Sequence, residues 1–507
     1  MAAISITASL DTMIREELPI LFMESLPKID PFFTSVYRTS QQVKRDDIGQ
    51  GWKVMHRFRT SLSGQYQPAN LNANQTTAAA LKQVMGYGTL ASFPNPSKTP
   101  HKGSMVRTCA LGCHRGNFGL PAFVLKASAL SDIVLKDIAD DLKGTAELRA
   151  QWEAVSLYMP TTACIGSFDD GTLADSNTRL DVTPDSSRIR WFRPGMLIDL
   201  YDDTSFTNQK NVDDDDASVI PLVVDAVDYL GGTISLRSMD GDYLSHGGGA
   251  GYMADNLTSG TYYMFSKGLT AGGTLYRAGH WGFEDWMKSS GQIMDATMQG
   301  RLDSSSATFS LTTYPQFKSY VISDLAGPLT DTYLTAVIGK FLDDYGASLD
   351  TMVTTRRVVQ KYLDSPNLGN NRFMWDRSGK PLSVVGGWND VAYEYEGKRF
   401  KVHISPYCAS GKMYVCKTGE GNIKRYVPPR SVGVGGIGSP GTGMEMGEEV
   451  EFFAPLGGST NIFKHVHNSS GETTPMVEAP FEQYSQVIPE DVRGIVIGGI
   501  TESTEIS

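Results

Sequence analysis

The stretch 130–159 reads LSDIVLKDIADDLKGTAELRAQWEAVSLYM and carries the clearest helical pattern in the chain. Its apolar residues recur at helical spacing on one face, interrupted only around Gly144: Leu130, Ile133, Val134, Ile138, Leu142, Leu148, Trp152, Val155 and Met159. Pro160 follows the last of them and ends the pattern. Because a long helix with one apolar stripe has to lie on a sheet or another layer, the sequence predicts a spine-like helix packed on the body of the protein.

Composition bounds what this chain can be. Its 507 residues suggest about three domains, and 40% hydrophobic with 20% charged residues is the composition of a globular protein. A net charge of −11 argues against a protein that grips nucleic acid through its whole surface. Five scattered cysteines form no disulfide framework, and their odd number favours folding in a reducing compartment. We find no signal-peptide pattern and no apolar run long enough to span a membrane.

Two segments before the helix are expected to project from the body. In the first, Ser9 is a plausible helix N-cap, and Pro19 is expected to kink or break the amphipathic arm that follows. In the second, GWKVMHRFRTSLSGQY and SMVRTCALGCHRGNFGLPAFVL flank a proline-rich connection, which predicts a long two-stranded hairpin. Neither segment has an obvious core, so we expect both to pack on a neighbouring chain.

Beyond the helix the character changes twice. Short apolar runs between Gly, Asp, Ser and Thr turns predict a small β-domain over about 161–279, barrel-like or sandwich-like. After that an α/β pattern returns. Thr330 and Asp331 are placed to cap a helix with a clean apolar stripe, and GASLDTMVTTRRVVQKYL predicts a short strand followed by a helix.

One motif points to a cofactor. Gly433, Gly435, Gly436 and Gly438 satisfy the G-x-G-x-x-G fingerprint of dinucleotide binding, which needs a strand before it and a helix after it. Two prolines at 428–429 argue against that strand, and further glycines weaken the helix. Glu451 falls at the distance of a ribose-binding acid, a coincidence that is common in an acidic chain. We therefore interpret the stretch as a flexible loop, with no cofactor.

Other candidate sites are weak. Cys109, Cys113 and His114 miss the spacing of haem attachment by one residue and lack a second pair for zinc. His465 and His467 would share one face of a strand, but isolated histidines are far more often structural. The aspartates at 213–216 do not follow the spacing of a calcium loop. The sequence predicts no catalytic residue and no metal site.

The order of the segments, more than any motif, is distinctive. An arm, a long hairpin, a spine helix, an inserted β-domain and a closing α/β domain resemble the major capsid proteins of tailed bacteriophages, which have the Hong Kong 97-like fold. The resemblance is carried by FRPGMLIDLYDD and VVDAVDYLGGTISL in the β-domain, and by SLTTYPQFKSYVISDLAGPLTDTYLTAVIGKFLDDYG leading into the α/β domain. YEGKRFKVHISPYCASGKMYVCKTG and FEQYSQVIPEDVRGIVIGGI resemble the family's paired strands and closing segment.

The resemblance implies an α+β fold with a particular division of the chain. The implied parts are an N-terminal arm (1–47), an extended loop (48–123), a peripheral domain with the spine helix (124–160), an inserted β-domain (161–279), a second peripheral segment (280–308), an axial domain (309–457) and a return to the peripheral domain (458–507). It further implies a non-enzymatic protein that assembles with itself into pentamers and hexamers around double-stranded DNA. It would reside in the virion capsid and be assembled in the host cytoplasm.

The resemblance also implies partners and contact residues. Portal, scaffold and decoration proteins are implied partners, and because the sequence starts at Met1 we expect any scaffold to be a separate protein. The extended loop would meet neighbouring subunits through Trp52, Lys53, Arg57, Arg59, Phe93 and Lys98. The loop with Gly433, Gly435, Gly436 and Gly438 would be a flexible tip of the axial domain. Two alternatives are another virion protein or adhesin with a ligand-binding β-domain, and a dinucleotide-dependent enzyme.

Overall fold

The computed structural model describes residues 6–45, 52–59, 104–121, 132–160, 164–169, 179–184, 186–204, 208–213, 219–239, 241, 244, 253, 260–267, 270–271, 274–275, 281–293, 310–346, 348–363, 392–395, 398–429, 450–452, 464–467 and 473–502. Helices and mixed sheets both occur within them, so the predicted α+β class is confirmed. The helices are α1 (Ile6–Ile29), α2 (Asp132–Tyr158), α3 (Phe283–Trp286), α4 (Asp331–Tyr345) and α5 (Arg356–Leu363).

The strands are short except near the end of the chain. They are β1 (Tyr37–Thr39), β2 (Val43–Arg45), β3 (Trp52–Arg59), β4 (Ser104–Ala110), β5 (Gly112–Pro121), β6 (Gly166–Asp169), β7 (Arg179–Val182), β8 (Leu197–Tyr201), β9 (Leu222–Asp228), β10 (Thr233–Ser238), β11 (Thr261–Ser266), β12 (Thr270–Ala271), β13 (Thr274–Leu275), β14 (Tyr320–Ile322), β15 (Thr351–Thr354), β16 (Ala392–Tyr395), β17 (Lys398–Ile404), β18 (Met413–Cys416), β19 (Ile423–Tyr426), β20 (Val450–Phe452), β21 (Lys464–His467), β22 (Thr473–Pro489) and β23 (Ile495–Ile497).

Three six-stranded sheets and a three-stranded ribbon organise these strands. The long-strand sheet has the order β1-β19-β22-β20, with β5 and β21 also paired to β22. The antiparallel sheet has the order β6-β11-β8-β9-β10-β7, and the mixed sheet has the order β14-β23-β18-β15-β17-β16. The ribbon is β2-β3-β4, and β12 pairs with β13. The antiparallel sheet lies wholly within the segment expected to form a β-domain.

Helix α1 differs from the predicted broken arm. It starts at Ile6, so Ser9 is not its N-cap, and it continues through Pro19 and Pro27. A proline inside a helix costs about 3 kcal/mol. Burial of an apolar face against α2 offsets this cost, since the described half of the helix buries Leu18, Phe22 and Leu26. The expectation that the arm lacks a core of its own is therefore wrong for this half.

Helix α2 is the predicted spine helix, and Leu142 and Val155 of the predicted stripe are buried in it. Leu148 is 57% exposed, although the periodicity placed it on the core side. The buried face also carries small residues that the stripe did not include, namely Ala146, Ala150 and Ala154. Small side chains let another element approach closely, and α1 packs along this helix. Periodicity therefore found the helix and part of its buried face, whereas the packing partner selected the alanines and left Leu148 exposed.

The ribbon is anchored in the core of the same chain. Strand β3 pairs antiparallel with β4 from Lys53↔Ala110 to Arg59↔Ser104. Val54 and Phe58 of β3 are fully buried, and the Phe58 ring meets that of Phe317 edge-on at 6.5 Å. The expectation that the hairpin cannot bury itself is thus wrong for its base, because Val54 and Phe58 pack on the main core.

The closing segment 458–507 divides between two sheets. Strand β22 is the centre of the long-strand sheet, and it pairs with β5 over ten positions, from Met476↔Pro121 to Ser485↔Gly112. Strand β23 follows after a short turn and lies between β14 and β18 in the mixed sheet. The last strands of the chain therefore tie two sheets together.

Helices α4 and α5 belong to the mixed sheet. The predicted stripe of α4 is buried at Leu334, Val337, Ile338 and Phe341, in a second core with sheet residues such as Ile495. The predicted cap is present, because the Thr330 hydroxyl accepts a hydrogen bond from the Tyr333 amide at 3.3 Å. The predicted strand–helix pair after Gly346 is β15 and α5.

Candidate functional site

The described residues contain no catalytic or metal constellation. Among them, no three His, Cys, Asp or Glu side chains lie close enough to hold a metal ion. The pairing of β21 with β22 is irregular between His465 and His467. Glu451 lies in β20, paired with Glu482. None of the helices in this part of the chain is long and apolar enough to cross a membrane.

Only some of the residues predicted to make assembly contacts belong to the described part of the chain. Trp52, Lys53, Arg57 and Arg59 lie on β3, and the carbonyl oxygen of the half-buried Trp52 accepts from the Leu111 amide at 2.8 Å. Phe93, Lys98 and the glycine-rich stretch 433–438 fall outside the described residues. Strand β3 thus holds four of the predicted contact residues on one element.

The joint segment, residues 405–412 between β17 and β18, is where separate parts of the chain meet. Trp191, which lies between β7 and β8 of the antiparallel sheet, donates from its indole nitrogen to the carbonyl oxygen of Tyr407 at 2.9 Å. The Arg193 guanidinium donates to the Tyr407 hydroxyl at 3.3 Å. Hydroxyl and amide groups of Ser410 and Gly411 donate to the Glu502 carboxylate. These bonds hold the antiparallel sheet, the mixed sheet and the chain end against one short segment.

Asp30 connects the N-terminal helix to the joint segment. It follows α1, precedes Pro31, and is fully buried. Its carboxylate accepts from the Phe32 amide at 3.0 Å and from the Ser405 hydroxyl at 2.9 Å. Burial raises the pKa of Asp30, and these hydrogen bonds oppose the rise. An Asp-Pro pair is a local capping signal, but nothing near Asp30 in sequence points to Ser405.

His403 lies beside Asp30 at the same junction. Its Nε2 is 3.0 Å from the Ser35 hydroxyl, and its ring meets the Phe32 ring edge-on at 5.9 Å. Burial, reinforced by the positive charge of Lys401, lowers the pKa of His403 to about 4. The imidazole is therefore neutral at physiological pH and serves as a packed, hydrogen-bonded residue.

Lowering the pH is expected to destabilise the protein through His403. Its pKa is about 4 in the folded chain and 6.5 in the unfolded chain, so only the unfolded state takes up the proton between these values. Stability should fall as the pH drops from 6.5 towards 4, by on the order of 2 kcal/mol. Urea unfolding of the wild type and His403→Gln at pH 7 and pH 4.5 tests this. We expect a smaller drop for the variant, since glutamine keeps a partner for Ser35 but does not titrate. Equal drops would contradict the assignment.

An aromatic cluster continues from the junction into the mixed sheet. Phe283 of α3 stacks on Tyr414 of β18 with ring centroids 4.7 Å apart, and meets Phe32 at 5.2 Å and Tyr158 at 5.6 Å. The Tyr414 hydroxyl donates to Glu284 at 3.3 Å, and Lys412 pairs with the same carboxylate. One ring therefore connects the N-terminal segment, the spine helix and the mixed sheet.

A buried ion cluster lies in the C-terminal half of α2. The Glu153 carboxylate accepts from Arg425 of β19 at 2.5 and 3.0 Å, and Arg149 Nη2 lies 3.6 Å from it. Both guanidinium groups lie over the Phe22 ring of α1, 5.5 and 5.3 Å from its centroid. Arg149 also donates to Gln483 of β22 at 2.8 Å. Cation–π contacts and ion pairs together bind α1, α2 and the long-strand sheet.

These clusters are suited to holding elements in place. Their ionisable groups are buried, paired and pinned from several segments, which is the arrangement of a structural network. Sequence reasoning missed them, because their members are separated by up to 375 positions, as in the Ser405–Asp30 bond.

No family model matches the chain, and no curated protein matches it. Among solved structures, the chain is similar to a cyanophage A-1(L) capsid asymmetric unit, with 10% identity, 93% of both chains covered and a TM-score of 0.41. It is also similar to the holo-SrpI encapsulin complex from Synechococcus elongatus, with 12% identity, 37% of this chain and 56% of that chain covered, and a TM-score of 0.20. Because both TM-scores are below 0.5, neither similarity supports a conclusion about function. The function has to be argued from the elements of this chain.

Proposed function

We propose that this protein is a non-enzymatic shell subunit, the major capsid protein of a virion of the tailed-bacteriophage kind. It assembles with itself into pentamers and hexamers that enclose double-stranded DNA, in the host cytoplasm. Portal, scaffold and decoration proteins are further partners in this proposal. The seven segments from the N-terminal arm to the closing strands would have the capsid roles set out above, except that β23 belongs with the axial strands.

The observation that carries the proposal is the length of its extended elements. Strands in globular proteins usually have 3–10 residues, whereas β22 has 17 and extends roughly 56 Å. Its partner β5 leads back through Leu111 directly into β4, so that residues 104–121 are extended almost throughout. This run ends in the ribbon, where β4 has no second partner among the described strands. A ribbon with one unpaired edge, joined to the body by a long extended run, is suited to pairing with a neighbouring subunit.

Within this proposal the ribbon and its loop make the contacts between subunits. Trp52, Lys53, Arg57 and Arg59, with Phe93 and Lys98, would face neighbouring chains, and the stretch 433–438 would adapt the axial tip to rings of five and six. Many weak reciprocal contacts of this kind add up to a closed symmetric shell.

Negative-stain electron microscopy of the full chain tests the proposal. We expect closed shells or rings of five and six subunits, and a uniform small oligomer would contradict it. The double variant Arg57→Ala with Arg59→Ala should lose assembly while its thermal unfolding midpoint stays unchanged. Lys44→Ala is the matched control, since Lys44 is an exposed residue of the neighbouring strand β2 and should assemble normally.

A further inference from the structure

The turn between β9 and β10 presents an apolar knob to solvent. Leu230 at its tip is 101% exposed, and Tyr229 beside it is 53% exposed. The turn is tightly built, because the Asp228 carboxylate accepts from the amides of Leu230 and Gly231 at 3.0 and 2.8 Å. The Gly232 amide donates to the Asp228 carbonyl oxygen at 2.9 Å, with Gly232 at a φ of +69°. We define the knob as residues 228–232.

The knob can be covered by another surface at little cost in unpaired backbone groups. Its amide donors at 230, 231 and 232 are already satisfied within the turn, so covering them leaves no unpaired donor. The Tyr229 hydroxyl donates to the Phe192 carbonyl oxygen at 3.2 Å, which fixes the base of the turn. A rigid turn loses little conformational entropy on docking. Burying the leucine at its tip removes apolar surface from water, which is favourable.

An open groove lies on a different part of the chain. It has a volume of about 410 Å³ and lies beside β14, which is an edge strand of the mixed sheet among the described strands. Its apolar lining includes Met287, Val321 and Val496, and Val321 is 37% exposed. Glu284 and Lys412 also line it and pair with each other, whereas Lys288 forms no ion pair within the described residues. The groove therefore combines apolar side chains with one pair of opposite charges and one unpaired cation.

The knob and the groove are complementary in charge as well as in polarity. Asp228 uses one carboxylate oxygen in the turn and, among the described residues, forms no ion pair. We propose that the knob of one copy docks in the groove of a second copy, with Leu230 against Val321 and Asp228 facing Lys288. The two surfaces are different patches of one chain, so the contact is heterologous and propagates into rings where the rotation closes. This inference rests on the proposed function and names one contact that the shell would use.

Cross-linking between the two patches tests the docking directly. The full chain carrying Leu230→Cys and Val321→Cys is oxidised and run on a non-reducing gel, with each single cysteine variant as a control for the native cysteines. We expect a ladder of covalent oligomers only for the double variant. If the oxidised double variant gives no such ladder, the docking is overturned.

Charge substitutions give a second measurement. Leu230→Asp and Val321→Asp should each raise the protein concentration needed for assembly by about tenfold or more. Mixed one to one they should form a dimer by native mass spectrometry, because each retains one intact patch. Met239→Asp, at an exposed apolar residue directly after β10, should assemble as the wild type does. If Val321→Asp fails to fold, Lys288→Glu replaces it with the same expectation.

The outcomes separate this contact from the proposed function. Wild-type shells together with normal assembly of both aspartate variants overturn the docking and leave the proposed function intact. A wild-type chain that never forms shells, together with a double cysteine variant that gives the cross-linked ladder, overturns the proposed function and supports the docking.

Discussion

Glu153→Gln is expected to lower the free energy of unfolding by about 3–5 kcal/mol, the cost of removing one partner from a buried ion pair. Glu153 is 0% exposed and is the carboxylate that both Arg149 and Arg425 approach. Without its charge, two buried guanidinium groups lose the carboxylate that they share. Urea unfolding of the unassembled chain, followed by circular dichroism, measures the loss.

A matched control lies on the same helix. Glu147 pairs with Lys143 at 4.0 Å, but its side chain is 46% exposed. Glu147→Gln should therefore change stability by no more than about 0.5 kcal/mol. If Glu153→Gln were as mild as this control, the buried cluster would not be what holds α1 and α2 to the long-strand sheet.

Phe283→Ala is expected to cost about 3–5 kcal/mol, because it leaves a cavity at the point where several elements meet. The ring is fully buried and contacts Phe32, Tyr158, Trp286 and Tyr414. These residues belong to the N-terminal segment, the spine helix, α3 and the mixed sheet. Differential scanning calorimetry should show a lower unfolding midpoint for the whole transition.

Two variants bracket that result. Phe283→Leu keeps most of the buried volume and should cost distinctly less than the alanine variant. Tyr37→Ala removes a ring that is 59% exposed and should leave the midpoint almost unchanged. A small effect of Phe283→Ala, comparable with Tyr37→Ala, would mean that the parts of the chain are joined elsewhere.

Local sequence was a sound guide where a helix meets a flat layer. The stripe of α4 and its Thr330 cap were predicted and are observed, because a single face against a sheet produces a simple 3.6-residue period. The same reasoning found α2 but misplaced Leu148. Here the partners include another helix and a buried ion cluster, which select alanines and a glutamate for the interior.

The N-terminal helix shows a limit of a different kind. Pro19 reads as a helix breaker, and by propensity it is one. The helix nevertheless continues through Pro19, because Phe22 and its apolar neighbours are buried against α2 and under two arginines. Tertiary burial outweighs a local cost of about 3 kcal/mol, and no property of residues 6–29 alone reveals it.

The sequence by itself determined the α+β class, the existence of the spine helix, the capped helix α4 and the order of parts that suggested a capsid subunit. Only the tertiary structure decided that β23 enters the mixed sheet, that Asp30 meets Ser405, and that Glu153 lies between two arginines. Periodicity and capping act over a few residues and are visible in any window of the chain. Strand pairing and buried ion contacts join residues tens to hundreds of positions apart, so they exist only once the whole chain has folded.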